Sequence, residues 1–306
     1  MPAAVFTRAG AALLVVLGVS TLVFLLIHLV PGDPVEAMLG ERAQASDRAA
    51  LRAALGLDLP LWEQYLRYLG GLAQLDLGAS LIDQRPVAEI LAERLPATLR
   101  LSAAALGTAL VIGLPLGVLA ARWRGSALDA GAMTASLLGI SMPNFWLGPL
   151  LILVFSLWLG WTPVSGADAP GAIILPALTL GTALAAILAR MVRASVLEVL
   201  GEDYVRTARA KGLGEPAVLW RHALRNAWLP VLTVIGMQLG GLLAGAVITE
   251  TVFAWPGIGS LLVEAIKARD FPVVQGCVLL ISVCYVLVNA LTDTAYAWID
   301  PRVGAR

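Results

Sequence analysis

The sequence has little charge and few residues of the kinds that carry out chemistry. Only 14% of its 306 residues are charged, against about 25% in an ordinary soluble domain. Hydrophobic residues make up 59%, and 21 basic residues balance 21 acidic ones. A soluble chain this apolar would expose too much apolar surface to stay dispersed. The composition therefore predicts an integral membrane protein, and we expect no nucleic-acid partner.

Metal ligands, paired cysteines and catalytic motifs are also scarce. Cys277 and Cys284 share one face of a single apolar helix, which cannot bring them to disulfide distance, so we interpret them as packing residues. His28 and His222 are isolated, and we expect no metal site. The sequence has no P-loop, GxSxG or HExxH pattern. We therefore expect neither a catalytic residue nor a cofactor bound by this chain.

Six apolar segments approach the length of about 20 residues that a membrane span requires. They cover residues 11–30, 99–121, 133–159, 174–192, 228–248 and 273–297. The short loops that hold most basic residues all fall on one side if the N-terminus is cytoplasmic, and the positive-inside rule then places both termini in the cytoplasm. We expect an uncleaved first span (1–30), an outer helical segment (31–98) and a five-helix membrane domain (99–306).

The outer segment is predicted to contain three short helices. Ser46 can cap the first, which ends before Gly56, and the second begins near Pro60. The third runs over 86–95, and Pro96 then opens the second span. Two interpretations remain open: aromatic helices at a membrane interface or against a protein outside, or a compact cap without a partner.

The largest inner loop, residues 196–227, has a helix–turn–helix pattern. A helix over 196–211 ends at Gly212 and Gly214, which tolerate the left-handed conformation, and Pro216 stands in the first turn of the next helix. Its basic residues fit either a docking surface for a partner or plain topology beside lipid phosphates. Acidic residues are nearly absent from the spans, where Glu250 and Asp293 lie near ends. This argues against a stand-alone proton-coupled carrier.

Two spans contain candidates for a transport pathway or gate. Pro143 should bend the third span and leave Asn144 at membrane depth, where it lines a pathway or hydrogen-bonds a neighbouring helix. In the fifth span, small residues recur every four positions on two faces. The faces carry Gly236, Gly240 and Ala244 on one side, and Gly241 and Gly245 on the other. A gate, a subunit interface and ordinary packing within the chain all fit this pattern.

The inner loop and several other fragments resemble one known family. The loop contains the run Glu202 to Leu213 (EDYVRTARAKGL) and the run His222 to Pro230 (HALRNAWLP). Other matching fragments are PGDP at 31–34, LPATL at 95–99, ETVFAWPG at 250–257 and DPR at 300–302. In this order, on six spans, they resemble the permeases of ATP-binding cassette importers in the dipeptide, oligopeptide and nickel branch. Arg206 and Thr207 depart from the general loop pattern, as is normal for that branch.

The resemblance implies a type I importer permease fold and a division of labour. The chain would be the first of two homologous permeases in a bacterial-type plasma membrane, served by two cytoplasmic ATPases and an external solute-binding protein, with lipids around it. ATP and magnesium would be bound by the ATPases, to which a coupling helix docks. The resemblance implies that the residues that dock to the ATPase are Tyr204, Arg206, Thr207, Ala208, Arg209, Lys211, Gly212 and Leu213. Within it, Tyr204 and Ala208 are expected to face an ATPase groove.

The resemblance leaves the solute open between short peptides and nickel. We prefer dipeptides or oligopeptides, because the spans offer no set of metal ligands and the Glu202 to Leu213 run leans toward the dipeptide members. A secondary carrier would need inverted repeats, and an intramembrane enzyme would need a polar cluster in the bilayer. We find neither pattern in the sequence.

Overall fold

The computed structural model describes residues 2–29, 35, 44–54, 56–219 and 224–299 of the chain. Regular structure in these ranges is helical, apart from an isolated bridge between Ala79 and Pro86. The predicted all-α class is confirmed for the part of the chain that the structure describes.

Twelve α-helices are described. They are α1 (Pro2–Leu29), α2 (Ala45–Ala54), α3 (Leu61–Ala73), α4 (Val87–Arg122), α5 (Ala127–Ser141), α6 (Asn144–Leu151), α7 (Ile174–Leu200), α8 (Asp203–Ala210), α9 (Glu215–Ala217), α10 (Leu224–Phe253), α11 (Ile258–Ala268) and α12 (Phe271–Ile299). A π-helical segment, Ile152–Trp158, continues α6.

Three of the described helices are long and apolar enough to cross a membrane, and up to five spans result if each bent pair is counted as one. The three are Val87–Arg122, Ile174–Leu200 and Phe271–Thr292. The bent pairs are Ala127–Ser141 with Asn144–Trp158, and Asn226–Leu242 with Ala246–Phe253. In α1 the apolar helix extends over Leu13–Leu25. The count of six spans and the cytoplasmic placement of both termini stay predictions.

The bend predicted at Pro143 is confirmed. Met142 and Pro143 are both extended, so α5 ends at Ser141 and α6 begins at Asn144 after a bend of 105°. Proline supplies no N–H to continue the ladder of α5, and its fixed φ suits the entry into α6.

The chain divides into two compact units. The first comprises Met1–Ala97 and Pro256–Val286, and the second comprises Thr98–Trp255 and Leu287–Arg306. Buried apolar residues from the start of α4, from α11 and from the start of α12 form the core of the first unit. Beside this core, the carboxylate of Asp270 accepts hydrogen bonds from the Ser80 hydroxyl and the Leu81 N–H.

Helix α7 is the centre of the second unit and packs against α5, α6 and α10. It also lies very close to α4. A Cβ at Gly117 would lie 2.6 Å from the Ala189 carbonyl oxygen, and one at Gly181 would lie 2.7 Å from the Ala105 carbonyl oxygen. Only glycine allows two helix backbones to approach to this distance. The seam between α4 and α7 is therefore fixed by backbone contact.

The outer segment follows the sequence prediction in part. Helix α2 ends before Gly56, which is left-handed at φ +67°, and α3 follows Pro60, both as predicted. Two details were wrong. Helix α2 begins at Ala45, so Ser46 lies inside it and does not cap it. The third helix does not stop at Pro96 but continues as α4, because a proline costs a long helix one hydrogen bond without ending it. The PGDP motif at 31–34 lies outside the described residues.

Candidate partner-docking site

Helix α8 is an eight-residue amphipathic helix that follows α7 after two residues. Glu202 is extended and ends the turn from α7, and Asp203 in the first turn favours the helix N-terminus electrostatically. Val205 and Ala208, three residues apart, are buried at 0% and 6% exposure. The rest of the helix is exposed. We call the basic face of α8 the exposed surface formed by Tyr204, Arg206, Thr207 and Ala210 of the helix and by Lys211 directly after it.

The expected orientation of Ala208 was wrong. We predicted that Ala208 faces a partner's groove, whereas the structure turns it toward the chain itself, beside Val205. An eight-residue helix is too short to hold its position alone, and this apolar pair anchors it. Tyr204 remains outward at 40% exposure, and its hydroxyl oxygen accepts a hydrogen bond of 2.6 Å from the Asn226 side chain.

The turn after α8 is set by Gly212. Its φ is +83°, the left-handed conformation that glycine adopts without strain, as predicted. The Gly212 N–H donates to the Arg209 carbonyl at 2.9 Å, and the Leu213 N–H donates to the Ala208 carbonyl at 3.3 Å. These two bonds form a Schellman ending. Gly214 was predicted to share this role, but its φ is −67°, and it instead precedes α9.

The basic residues of this region differ in the ion pairs that they form. Arg206 lies 3.1 Å from Asp203 at a fully solvated surface, where such a pair contributes little. Arg209 donates to Glu215 at 2.8 and 3.4 Å, across the turn from α8 to α9. This guanidinium lowers the pKa of Glu215. Arg209 thus closes the turn, whereas Lys211 and Arg206 extend outward.

The second half of the loop is described only in part. Helix α9 covers Glu215–Ala217 with Pro216 in its first turn, as predicted. Val218 and Leu219 continue it more loosely and are buried. The predicted continuation through Trp220 and Ala223 lies outside the described residues, as does His222.

An ion pair that the sequence did not reveal lies close to this region. Asp129, in the first turn of α5, accepts from the Arg193 guanidinium at 2.6 and 2.7 Å. Asp129 also accepts from the Gly125 N–H at 2.9 Å, and its own N–H donates to the capping hydroxyl of Ser126. The spacing Ser-x-x-Asp before an apolar run is a local signal of this cap. Nothing local indicates Arg193, which is 64 residues away.

The candidate residues at the break after α5 are partly exposed. Asn144 is half-buried, and no hydrogen bond of its side chain is found in the described ranges. The hydrogen bond to a neighbouring helix, one of two predictions, is therefore not seen there. Phe145 and Trp146 beside it are exposed and line an apolar groove of about 410 Å³ with the following turns of α6.

The two glycine faces of α10 differ. A Cβ at Gly236 would collide with the Thr292 side chain of α12, and Gly240 is buried, so this face packs within the chain. Gly241 is exposed, and a Cβ there would meet nothing within 4 Å. Among the described residues, nothing therefore packs against the position of a side chain at Gly241. The side chains around Gly245 lie outside the described residues.

A helical membrane chain with this loop matches a known family model over residues 113–305. The model is described as the inner membrane component of binding-protein-dependent transport systems, and a model of the N-terminal part of such components matches residues 1–102. The chain belongs to this family. It is a multi-pass inner-membrane protein of a transport system that depends on a binding protein, as the sequence resemblance predicted.

Curated relatives match the chain over almost its whole length. It is 49% identical to the di/tripeptide transport system permease protein DppB of Pseudomonas aeruginosa (strain UCBPP-PA14), with 97% of each chain covered. It is 46% identical to the dipeptide transport system permease protein DppB of Escherichia coli (strain K12), with 98% of each covered. It is 47% identical to the glutathione transport system permease protein GsiC of Escherichia coli O6:H1 (strain CFT073), with 93% of each covered. The predicted resemblance to the dipeptide branch is thus confirmed.

Solved structures share the fold at lower identity. A chain of the inward-facing MetNI methionine ABC transporter aligns with a TM-score of 0.57 at 20% identity, covering 70% of this permease and 97% of that chain. A chain of an amino acid ABC transporter aligns with a TM-score of 0.51 at 16% identity, covering 70% and 94%. At these identities the likeness concerns the fold alone.

Proposed function

We propose that the chain is one of two non-identical permease subunits of an ATP-driven importer of short peptides, with α8 as the helix that receives the motion of the ATPases. The family membership supports the transport role, and α8 supports the coupling role. Its basic face is exposed, anchored from behind by Val205 and Ala208, and held to a fixed turn at Gly212. Such a helix can be pushed as a rigid body.

The chemistry of the basic face favours a particular kind of partner surface. Arg206 and Lys211 present two cations, and the exposed ring of Tyr204, whose hydroxyl is bonded to Asn226 of α10, adds apolar area. A groove with acidic residues at its rim and an apolar floor would match these groups. In this proposal ATP and magnesium are bound by the two ATPase partners, and solute arrives from the binding protein.

For the solute we propose dipeptides and related short peptides. The DppB relatives are named for dipeptide and di/tripeptide transport, and GsiC is named for the transport of glutathione, itself a small peptide. These names do not favour the nickel alternative. The pathway is proposed to pass the break at Pro143 and Asn144 and the open side of α10 at Gly241.

The coupling proposal is tested by reversing charge on the basic face. Arg206→Glu is expected to abolish uptake of labelled dipeptide and its stimulation of ATP hydrolysis. The amount of permease in the membrane should be unchanged, because the ion pair that Arg206 makes among the described residues is solvated. Arg124→Glu is the matched control, since Arg124 is also exposed but lies in the loop before α5.

Three outcomes would count against this assignment. Normal uptake in the Arg206→Glu permease, with expression proven, would remove α8 from the docking surface. An equal loss in both variants would mean that inner positive charge in general, rather than this helix, is required. Uptake of labelled nickel in place of labelled dipeptide by the assembled transporter would refute the solute while leaving the coupling helix intact.

A further inference from the structure

Helix α3 combines an apolar side with a polar side. Tyr65, Tyr68 and Leu72 occupy one edge of the apolar side, and Trp62 and Leu66 occupy the other. On the opposite side Arg67 forms a 3.0 Å ion pair with Glu63. Successive residues of an α-helix turn by about 100°. Trp62 and Leu66 are therefore neighbours on the surface, and Arg67 lies well away from them.

One edge of the apolar side is packed on α1. The Tyr65 and Thr21 hydroxyls are hydrogen-bonded at 2.6 Å, and the Phe24 ring lies 5.2 Å from the Tyr65 ring and 5.8 Å from the Tyr68 ring, centroid to centroid. Among the side chains described on α1, the buried ones fall at this level, at residues 20, 23 and 24. Farther toward the N-terminus, Leu14 is exposed, as expected of a surface in lipid.

The level of this contact decides where α3 lies. Thr21 is eight residues before the end of α1 at Leu29, which at about 1.5 Å per residue is about 12 Å below the helix end. If α1 crosses the membrane, α3 is not raised above the bilayer surface. The 28 residues of α1 are about 42 Å long, which matches the thickness of a bilayer with its headgroups. A level about 12 Å below the helix end then lies in the first part of the acyl chains.

The other edge of the apolar side is uncovered at that depth. Trp62 is 64% exposed and Leu66 is 57% exposed. Tryptophan is enriched at membrane interfaces because its ring is apolar and its N–H is polar. A helix with an apolar side and a polar side lies in the plane of an interface with the apolar side in the acyl region.

We propose that α3 is an interfacial helix that holds Trp62 and Leu66 in the lipid of the leaflet facing the outer segment, while Glu63 and Arg67 face water. The outer segment is then tied to the bilayer at α3 as well as through its two spans. This inference rests on α1 being a span, and it goes beyond the proposed transport of peptides because it concerns lipid rather than solute or ATPase.

Spin labels on the full-length chain in vesicles of phosphatidylethanolamine and phosphatidylglycerol test the proposal. Single cysteines are placed at Trp62, Leu66 or Arg67 in a chain with Cys277→Ala and Cys284→Ala. The relaxation of each label by oxygen, which concentrates in lipid, is compared with relaxation by a water-soluble nickel chelate. Labels at 62 and 66 are expected to show an oxygen-to-nickel ratio several-fold above that of the matched label at 67.

A fourth label at Leu14 separates the possible failures. If position 14 is accessible to nickel, α1 is not a span, and the membrane assignment on which the inference rests fails. If position 14 is in lipid but 62 and 66 are accessible to nickel, α3 is in water and the proposal is overturned. If 62 and 66 are accessible to neither reagent, they are covered by protein, which also overturns it.

Discussion

The seam between α4 and α7 gives the most exacting prediction, because it depends on backbone positions. A Cβ at Gly117 would lie 2.6 Å from the Ala189 carbonyl oxygen and 2.7 Å from the Cβ of Val192. Neither atom can rotate away, since one is backbone and the other is the first atom of a branched side chain. Gly117→Ala therefore forces the two helices apart.

The magnitude follows from two opposing effects. Overpacking a close contact costs about 1–3 kcal/mol, and contact with backbone places Gly117→Ala at the upper end. Alanine returns about 1 kcal/mol of helix propensity. We expect Gly117→Ala to destabilise the permease by about 2 kcal/mol. Gly107→Ala, in the same helix with nothing within 4 Å of its Cβ, should be neutral or up to about 1 kcal/mol more stable.

A third variant, Gly139→Ala, is expected to have an intermediate stability. At Gly139 of α5 the nearest atom to a new Cβ is the Ala186 Cβ at 3.3 Å, a contact that small shifts can relieve. The free energy of unfolding of Gly139→Ala should therefore lie between those of Gly117→Ala and Gly107→Ala. The assay is unfolding of each purified variant in mixed micelles by increasing denaturing detergent, followed by circular dichroism. If Gly117→Ala is as stable as Gly107→Ala, α4 and α7 do not approach each other as described.

Three further predictions concern the end of α7 and the turns around α8. Gly212→Ala should impair coupled ATP hydrolysis more than Gly212→Asn, because φ is +83° and asparagine tolerates the left-handed region better; equal activities would contradict this. Arg193→Lys should lower the thermal stability of the chain although the charge is kept, because lysine cannot donate to both carboxylate oxygens of Asp129 from two nitrogens. A variant as stable as wild type would contradict the bidentate ion pair. Arg209 lowers the pKa of Glu215, so their pair stabilises the fold above the ordinary carboxyl pKa and is lost as pH falls through the lowered one. The loss of stability that Glu215→Gln causes relative to wild type should therefore vanish in acid and stay constant near neutral pH. A loss that grows in acid would show that Glu215 and Arg209 do not form a stabilising ion pair.

Local chemistry explains why several features could be predicted from the sequence. Proline at 143 removes a backbone donor wherever it stands, and glycine at 212 permits a left-handed turn wherever a helix must end. Neither conclusion needs knowledge of the neighbours. Pro96 shows the limit of the same reasoning, because whether a proline ends a long helix depends on how the rest of the helix is held.

Features that depend on distant partners could not be predicted. The two glycine faces of α10 look equal in sequence, and only the position of Thr292 distinguishes Gly236 from Gly241. In sequence, nothing distinguishes Arg193 from Arg190 in the same helix, α7, until α5 brings Asp129 beside it. The inward turn of Ala208 had a local signal, since Val205 and Ala208 share a face as the apolar pair of a charged helix. The family resemblance instead led us to expect this small side chain at a partner's groove.

The arrangement around α7 connects stability to transport. Only Gly201 and Glu202 separate α7 from α8, so a force on the basic face of α8 passes directly into α7. Helix α7 cannot move alone, because its backbone touches α4 at the Gly117 seam and Arg193 holds it to α5. Close-packed interiors transmit such displacement rather than absorb it. We therefore expect the three helices to move as one body, and a loosened seam should reduce transport per ATP hydrolysed even where the variant is still folded.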